Sequence, residues 1–118
     1  MLGIIFLIPV NTPLDSNEVL LKQGPANLQR HIETVGGRLY LTNTRLIFES
    51  HAFNVQVGTT LILLSDIVTI TKCWTKFLNL IPLLPNSLAV FTSSGQEFRF
   101  VLYGRTAWAS AIANAKEA

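Results

Sequence analysis

One cysteine, Cys73, stands among 118 residues, so no disulfide can close within the chain and no zinc site of the usual Cys/His spacing can be built. Histidine is almost as scarce, at His31 and His51 only. A catalytic centre needs several groups in matched geometry, and Ser65-Asp66 with a distant histidine is only a fragment of a triad. Corner residues are the plainer reading of that pair. Gly36-Gly37 lacks the strand–loop–helix setting and the Lys-Ser/Thr ending of a phosphate loop. Charge is sparse as well: charged residues make up 14% of the chain, nine basic against seven acidic, for a net +2. Low charge beside 49% hydrophobic residues excludes a disordered chain. The clustered basic footprint of a nucleic-acid binder is missing. Apolar runs are short. Met1–Val10 is nearly all apolar but cannot span a bilayer as a helix, and it lacks the basic start and clean small-residue cleavage site of a signal peptide. No repeat or low-complexity tract is present. These absences leave a non-enzymatic chain, expected in the cytoplasm, with no catalytic residue, no metal and no cofactor.

What is present is period-two patterning. The run Gly37–Ser50 reads as two strands joined at Thr42-Asn43-Thr44. Leu39 and Leu41 share one face and Tyr40 and Thr42 the other; Leu46 and Phe48 share a face opposite Arg45, Ile47 and Glu49. Asn43 suits the corner because its side chain can bond to nearby backbone. Around this hairpin the sequence predicts a first strand over 18–23, an interruption at Gly24-Pro25-Ala26-Asn27, and a resumed strand from Leu28 toward Thr34. Gly36-Gly37 suits a close approach or a positive φ. Further strands are predicted over 59–64, 67–71, 87–92 and 97–102, with corners at Ser65-Asp66 and Ser93–Gln96. Over 73–86, Pro82 and Pro85 oppose both helix and central strand, so a long hydrophobic connection is expected there. The period then changes. Ala107, Trp108, Ala111, Ile112 and Ala115 form one apolar helical stripe near the C-terminus. Trp108 is its anchor. Leu39, Leu41, Leu46, Phe48, Phe98, Phe100, Trp108 and Ile112 are the expected core, with Leu61 and Leu63 also pointing inward. The resulting fold class is mainly β: a bent antiparallel barrel or orthogonal sandwich of about seven strands closed by one C-terminal helix. An apolar arm and linker occupy 1–17 and the domain body 18–118.

The run Gly-Arg-Leu-Tyr-Leu-Thr-Asn-Thr-Arg-Leu-Ile-Phe from Gly37 resembles the signature of GRAM domains, members of the pleckstrin-homology-like superfold. Glu18-Val19-Leu20 before Gly24, Leu64-Ser65-Asp66-Ile67, Leu88–Phe91, Gly95, Phe98–Phe100, Trp108 and Ile112 fall in the matching order. The resemblance covers roughly residues 18–116. It implies a seven-stranded bent barrel with a C-terminal helical cap, and association with membranes or proteins rather than catalysis.

Two contact sets follow. For an anionic phospholipid surface the candidates are Lys72, Trp74, Lys76 and Phe77, two cations beside an amphipathic run, with Lys22, Arg30, Arg38 and Arg45 near the first strands. That reading places the chain peripherally at the inner membrane face. For a protein partner or a homo-oligomer the candidates are Ile4, Ile5 and Phe6 in the arm and Leu80, Ile81 and Leu84 in the hydrophobic connection. The plainer readings stand beside them. The arm can be an extra packed strand, the connection can pack over the barrel, and Arg38, Arg45 and Arg99 can form cross-strand pairs with Glu49 and Glu97.

Overall fold

A computed structural model describes residues 8–30, 33–51, 58–77 and 81–118, with the side chains at 30, 33, 74–77 and 81–86 outside that description. Seven strands form one antiparallel sheet: β1 (Leu20–Arg30), β2 (Glu33–Thr42), β3 (Arg45–Ser50), β4 (Thr59–Leu63), β5 (Ile67–Phe77), β6 (Ile81–Thr92) and β7 (Glu97–Leu102). Their spatial order is β4-β3-β2-β1-β7-β6-β5. A 3-10 turn at Leu64–Asp66 links β4 to β5, and helix α1 (Arg105–Glu117) follows β7. The fold is a pleckstrin-homology-like sandwich of seven strands and one C-terminal helix.

The central hairpin forms where its alternation places it. Leu39 pairs with Phe48 and Leu41 with Leu46, and all four are buried in the core. Phe48 meets Phe100 of β7 at a ring separation of 5.9 Å, which joins the two halves of the sheet. Trp108, Ile112 and Ala115 of α1 close the core, and Phe98 packs against it partly buried. Ala107, placed by periodicity on the buried stripe, is exposed. Gly104 sets the helix start with φ 68°, the left-handed region that glycine enters without strain. Gly37 serves a different need. Its φ is not positive, but a Cβ there would lie 2.7 Å from Phe48 Cζ and closer still to the Glu49 carbonyl oxygen. The β2–β3 approach at this point therefore requires glycine.

Four expectations change. The stretch 73–86 is not a connection but the far end of a long hairpin, β5 with β6. β6 has β7 beside it only from Ser87 to Phe91, so residues 81–86 have a single strand neighbour among the described residues. The register also shifts between Cys73 and Thr75 and between Thr75 and Lys76. Prolines are tolerated at such half-paired, bulged positions. Second, β1 runs unbroken through Pro25. β7 pairs with β1 only from Ala26 onward, so Pro25 also has one strand neighbour among the described residues. The bulge falls earlier, between Leu20 and Lys22. Third, the resumed strand from Leu28 toward Thr34 is instead the end of β1 and the start of β2, which pair at Arg30 and Glu33. Fourth, Leu61 and Leu63 face outward at 51% and 50% exposure, while Ile62 is buried. Pairing of Ile62 with Leu46 fixes that phase. The apolar run itself carries no alternation from which to read it.

Three substitutions test this packing. Gly37→Ala should lower stability by about 1–3 kcal/mol, the usual cost of forcing extra volume into packed structure. Gly36→Ala should cost less, because the nearest atom to its Cβ is the Asn27 side-chain oxygen at 3.3 Å. Trp108→Ala should cost about 3–5 kcal/mol. Urea midpoints for the three variants check both orderings.

Candidate functional site

The hairpin corner is built around a buried anion. Thr42, Thr44 and Arg45 place three side-chain donors within four residues, and Glu18 supplies the carboxylate. Glu18 Oε2 accepts from Thr42 Oγ1 at 2.6 Å, Thr44 Oγ1 at 3.0 Å and Arg45 Nε at 2.8 Å. Its Oε1 accepts from Arg45 Nη2 and from the Asp15 N–H, each at 3.0 Å. The Arg45 contact is a two-pronged, charge-assisted pair, with the Glu18 side chain fully covered. That guanidinium lowers the Glu18 pKa to about 2. Burial opposes it, and the two hydroxyls and the Asp15 N–H assist. Glu18 in turn raises the Arg45 pKa. Thr42 Oγ1 also accepts the N–H groups of Thr44 and Arg45, which shapes the turn. Asn43 reaches out of the corner: its Oδ1 accepts the Val19 N–H at 2.8 Å and its Nδ2 donates to Asn17 O.

The chain before β1 is tied along the outer face of the sheet. Arg45 Nη2 donates to Pro13 O at 2.7 Å. Glu49 accepts the N–H groups of Asn11 and Thr12 and the Thr12 hydroxyl. Tyr40 OH donates to Ile8 O at 3.0 Å, and Gln23 Oε1 accepts from both the Ile8 N–H and Arg38 Nε. Tyr40 and its cross-strand partner Ile47 lie outside the main core yet are buried at 1% and 0% exposure. Burial, then the nearby Glu49 carboxylate, raise the Tyr40 pKa. The central hairpin therefore has apolar cover on both faces.

The described candidate cations are engaged at separate places in the fold. Arg45 belongs to Glu18, not to a cross-strand pair with Glu49. Arg38 donates to Gln23. Arg99 pairs with Glu97 at 2.9 Å along the same strand rather than across strands. Lys22 sits 5.2 Å from the centroid of the Trp108 ring, a cation–π contact. Lys72 lies in β5, exposed, with Nζ 3.4 Å from Thr106 Oγ1. Trp74, Lys76 and Phe77 lie in β5, Ile81 and Leu84 in β6 and Arg30 at the end of β1, with their side chains outside the description. Ile4, Ile5, Phe6 and Leu80 are outside the described residues. Among the described residues no three His, Cys, Asp or Glu side chains gather as a metal site, and no helix is long and apolar enough to cross a membrane.

The sequence reading passed over Glu18, Gln23 and Glu49 as fastening points. The available signal was the density of donors at Thr42, Thr44 and Arg45, which calls for an acceptor.

A seven-stranded antiparallel sandwich closed by a C-terminal helix defines the pleckstrin-homology-like class. The sequence matches the GRAM domain over residues 6–105, and the chain belongs to that family. Family membership places it among non-enzymatic binding modules. No curated protein matches the chain's sequence. Among solved structures it is similar to the C-terminal domain of an unknown protein from Leishmania infantum. The TM-score is 0.68 at 19% identity, over 87% of this chain and 88% of the other. The Vps36 N-terminal PH domain gives a TM-score of 0.65 at 20% identity, over 89% and 83%. The PDZ-RhoGEF DH/PH domains, in complex with GTP-γ-S activated RhoA, give 0.65 at 12% identity, over 86% of this chain and 30% of that one.

The Glu18 site predicts an acid-sensitive fold. Its carboxyl has a pKa of about 2 when folded against an ordinary 4.5. Its stabilisation is therefore complete above pH 4.5 and is lost as pH falls from 4.5 toward 2. Glu18→Gln should lower stability at neutral pH by about 3 kcal/mol, the order expected when one partner of a buried pair is removed. It should also flatten the decline across that acid window. Urea titrations of both proteins at a series of pH values measure the difference.

Proposed function

We propose that the chain acts as a protein-interaction module in the cytoplasm, either with another protein or through self-association. One observation supports this above the membrane reading. The described cations of the lipid set are each engaged by a group of the chain itself, Arg45 by Glu18, Arg38 by Gln23, Lys22 by the Trp108 ring and Lys72 by Thr106. Apolar side chains, by contrast, are left in solvent. Val19, Leu21, Leu61, Leu63 and Val68 are each at least half exposed. Both terminal strands of the sheet, β4 and β5, have a single strand neighbour among the described residues. Open sheet edges beside apolar side chains suit protein contacts.

In this reading the arm over 1–17, whose described residues 8–17 are tied to the body over 18–118, is part of the module, and the partner set Ile4, Ile5, Phe6, Leu80, Ile81 and Leu84 adds to its contact surface. Co-sedimentation with neutral and anionic liposomes at low and physiological salt separates the two readings. The expected result is that the protein stays in the supernatant throughout. Pelleting on anionic vesicles alone, weakened by salt and lost in a Lys72→Ala/Lys76→Ala variant, would move the function to the membrane. Sedimentation velocity at low and high salt reads self-association beside it. An apolar contact survives high salt, whereas a charge-led one does not.

A further inference from the structure

We infer that the edge of β4 pairs with the β4 edge of a second copy of this chain, antiparallel about a two-fold axis at Leu61, so that one sheet continues through both copies. This rests on the protein-interaction reading and gives it a surface and a partner.

The pairing of β4 with β3 fixes which backbone groups face outward. That ladder is regular, residue for residue, from Arg45 with Leu63 to Glu49 with Thr59. It continues at both ends: the Leu64 N–H donates to Thr44 O at 2.9 Å, and the Ser50 N–H donates to Gly58 O at 2.7 Å. In an antiparallel ladder alternate residues turn both N–H and C=O toward the same neighbour, and the intervening ones turn both away. Gly58 and Leu64 turn toward β3, so Thr60 and Ile62 do as well. Thr59, Leu61 and Leu63 therefore turn their backbone groups to the other side. Among the described residues no strand pairs with that side. The same three residues carry their side chains on the outer face, where Leu61 and Leu63 are half exposed. Outward backbone groups and exposed leucines thus fall on one short strand.

A solvent-facing edge is ordinarily blunted by lysine, proline or a bulge. β5, at the opposite end of the sheet, carries register shifts and Lys72. Thr59–Leu63 has no charge, no proline and no register shift. A second copy is the occupant that fits, because this edge complements itself. Centred on Leu61, antiparallel pairing engages the whole of Thr59–Leu63: Leu61 meets Leu61 of the second copy, and Leu63 meets Thr59. Each such pair exchanges both backbone bonds, and the same patch serves on both copies. A register centred on Thr60 or Ile62 leaves one end of the strand unpaired.

Flanking charges set the direction. Arg45 stands opposite Leu63, and Glu49 stands opposite Thr59. In the two-fold arrangement each outer cross-strand row holds Arg45 of one copy and Glu49 of the other. A parallel approach sets each charge in line with its own like. The opposed charges are three strand spacings apart, about 14 Å, so they bear on orientation more than on affinity. The outer face also has room for the incoming leucine. Thr59 lines a trough of about 480 Å³ with Glu49 and Asn11–Pro13 of the arm, and Leu63 of the second copy lies opposite Thr59.

Sedimentation velocity of the whole chain over a concentration series tests this. The expected result is a monomer–dimer equilibrium that survives high salt. Hydrogen exchange should slow with concentration at the amides of Thr59, Leu61 and Leu63. It should not change at Thr60 and Ile62, whose amides already face β3. Leu61→Lys sets two like charges at the axis and should weaken the dimer by about ten-fold or more. Leu61→Glu should do the same. Leu61 is exposed in the single chain, so both variants should keep the thermal midpoint of the dilute protein. Mixed in equal amounts, the two variants should recover the dimer, because each lysine then faces a glutamate. A dimer that both substitutions leave intact would overturn the β4 interface and move self-association to another surface. Variants that dissociate but do not recombine would overturn the two-fold register at Leu61. A chain that stays monomeric at every concentration would overturn the second copy as occupant. If that monomer also pelleted on anionic vesicles, the reading beneath would fall with it.

Discussion

A carboxylate withdrawn from water must be fully served by donors, or the structure around it does not hold. Glu18 is that group here. Five donors from Asp15, Thr42, Thr44 and Arg45 close on its two oxygens. Three parts of the chain meet as a result: the segment leading into β1, the corner between β2 and β3, and, through Arg45 and Pro13, the chain laid along the outer face. No buried side-chain nitrogen or oxygen among the described residues is left without a partner. The polar centre of the fold thus serves to fasten elements rather than to react.

That fastening changes what kind of sheet the central hairpin is. A strand that is solvated on one face needs apolar residues only at alternate positions. β2 and β3 bury both faces, the inner through Leu39, Leu41, Leu46 and Phe48, the outer through Tyr40 and Ile47. Tyr40 suits the second role because its ring fills space while its hydroxyl reaches the Ile8 carbonyl. Glu49 and Gln23 hold the rest of the arm by accepting backbone N–H groups that would otherwise face water. The exposed apolar side chains among the described residues lie elsewhere and include Leu21 of β1, Leu61 and Leu63 of β4 and Val68 of β5.

Much of this was legible in the residues. Alternation in Gly37–Ser50 located the hairpin, the change to helical spacing after Leu102 located α1, and Trp108 stood out as the closing anchor. What could not be read were facts that depend on neighbours. Pro82 and Pro85 exclude a strand paired on both sides, but how many strands flank residues 81–86 is set by where β7 ends. The continuous apolar run Leu61–Leu64 leaves its phase to the register with β3. Arg45 looks like any outward cation until Glu18 is brought to it from elsewhere in the chain. That β5 ends the sheet among the described residues is likewise a property of topology rather than of any residue within it.

The pairing map has a kinetic side. Five of the six ladders join strands that follow one another in the chain, in two runs, β1 to β4 and β5 to β7. Among the described residues only β1 with β7 bridges the runs, over four residue pairs from Ala26 to Gln29. The entropy of closing a long loop is therefore concentrated in that one short junction. Each run can zip by local contacts, while cooperativity across the molecule depends on the Ala26–Gln29 seam and the rings of Phe48 and Phe100 beside it.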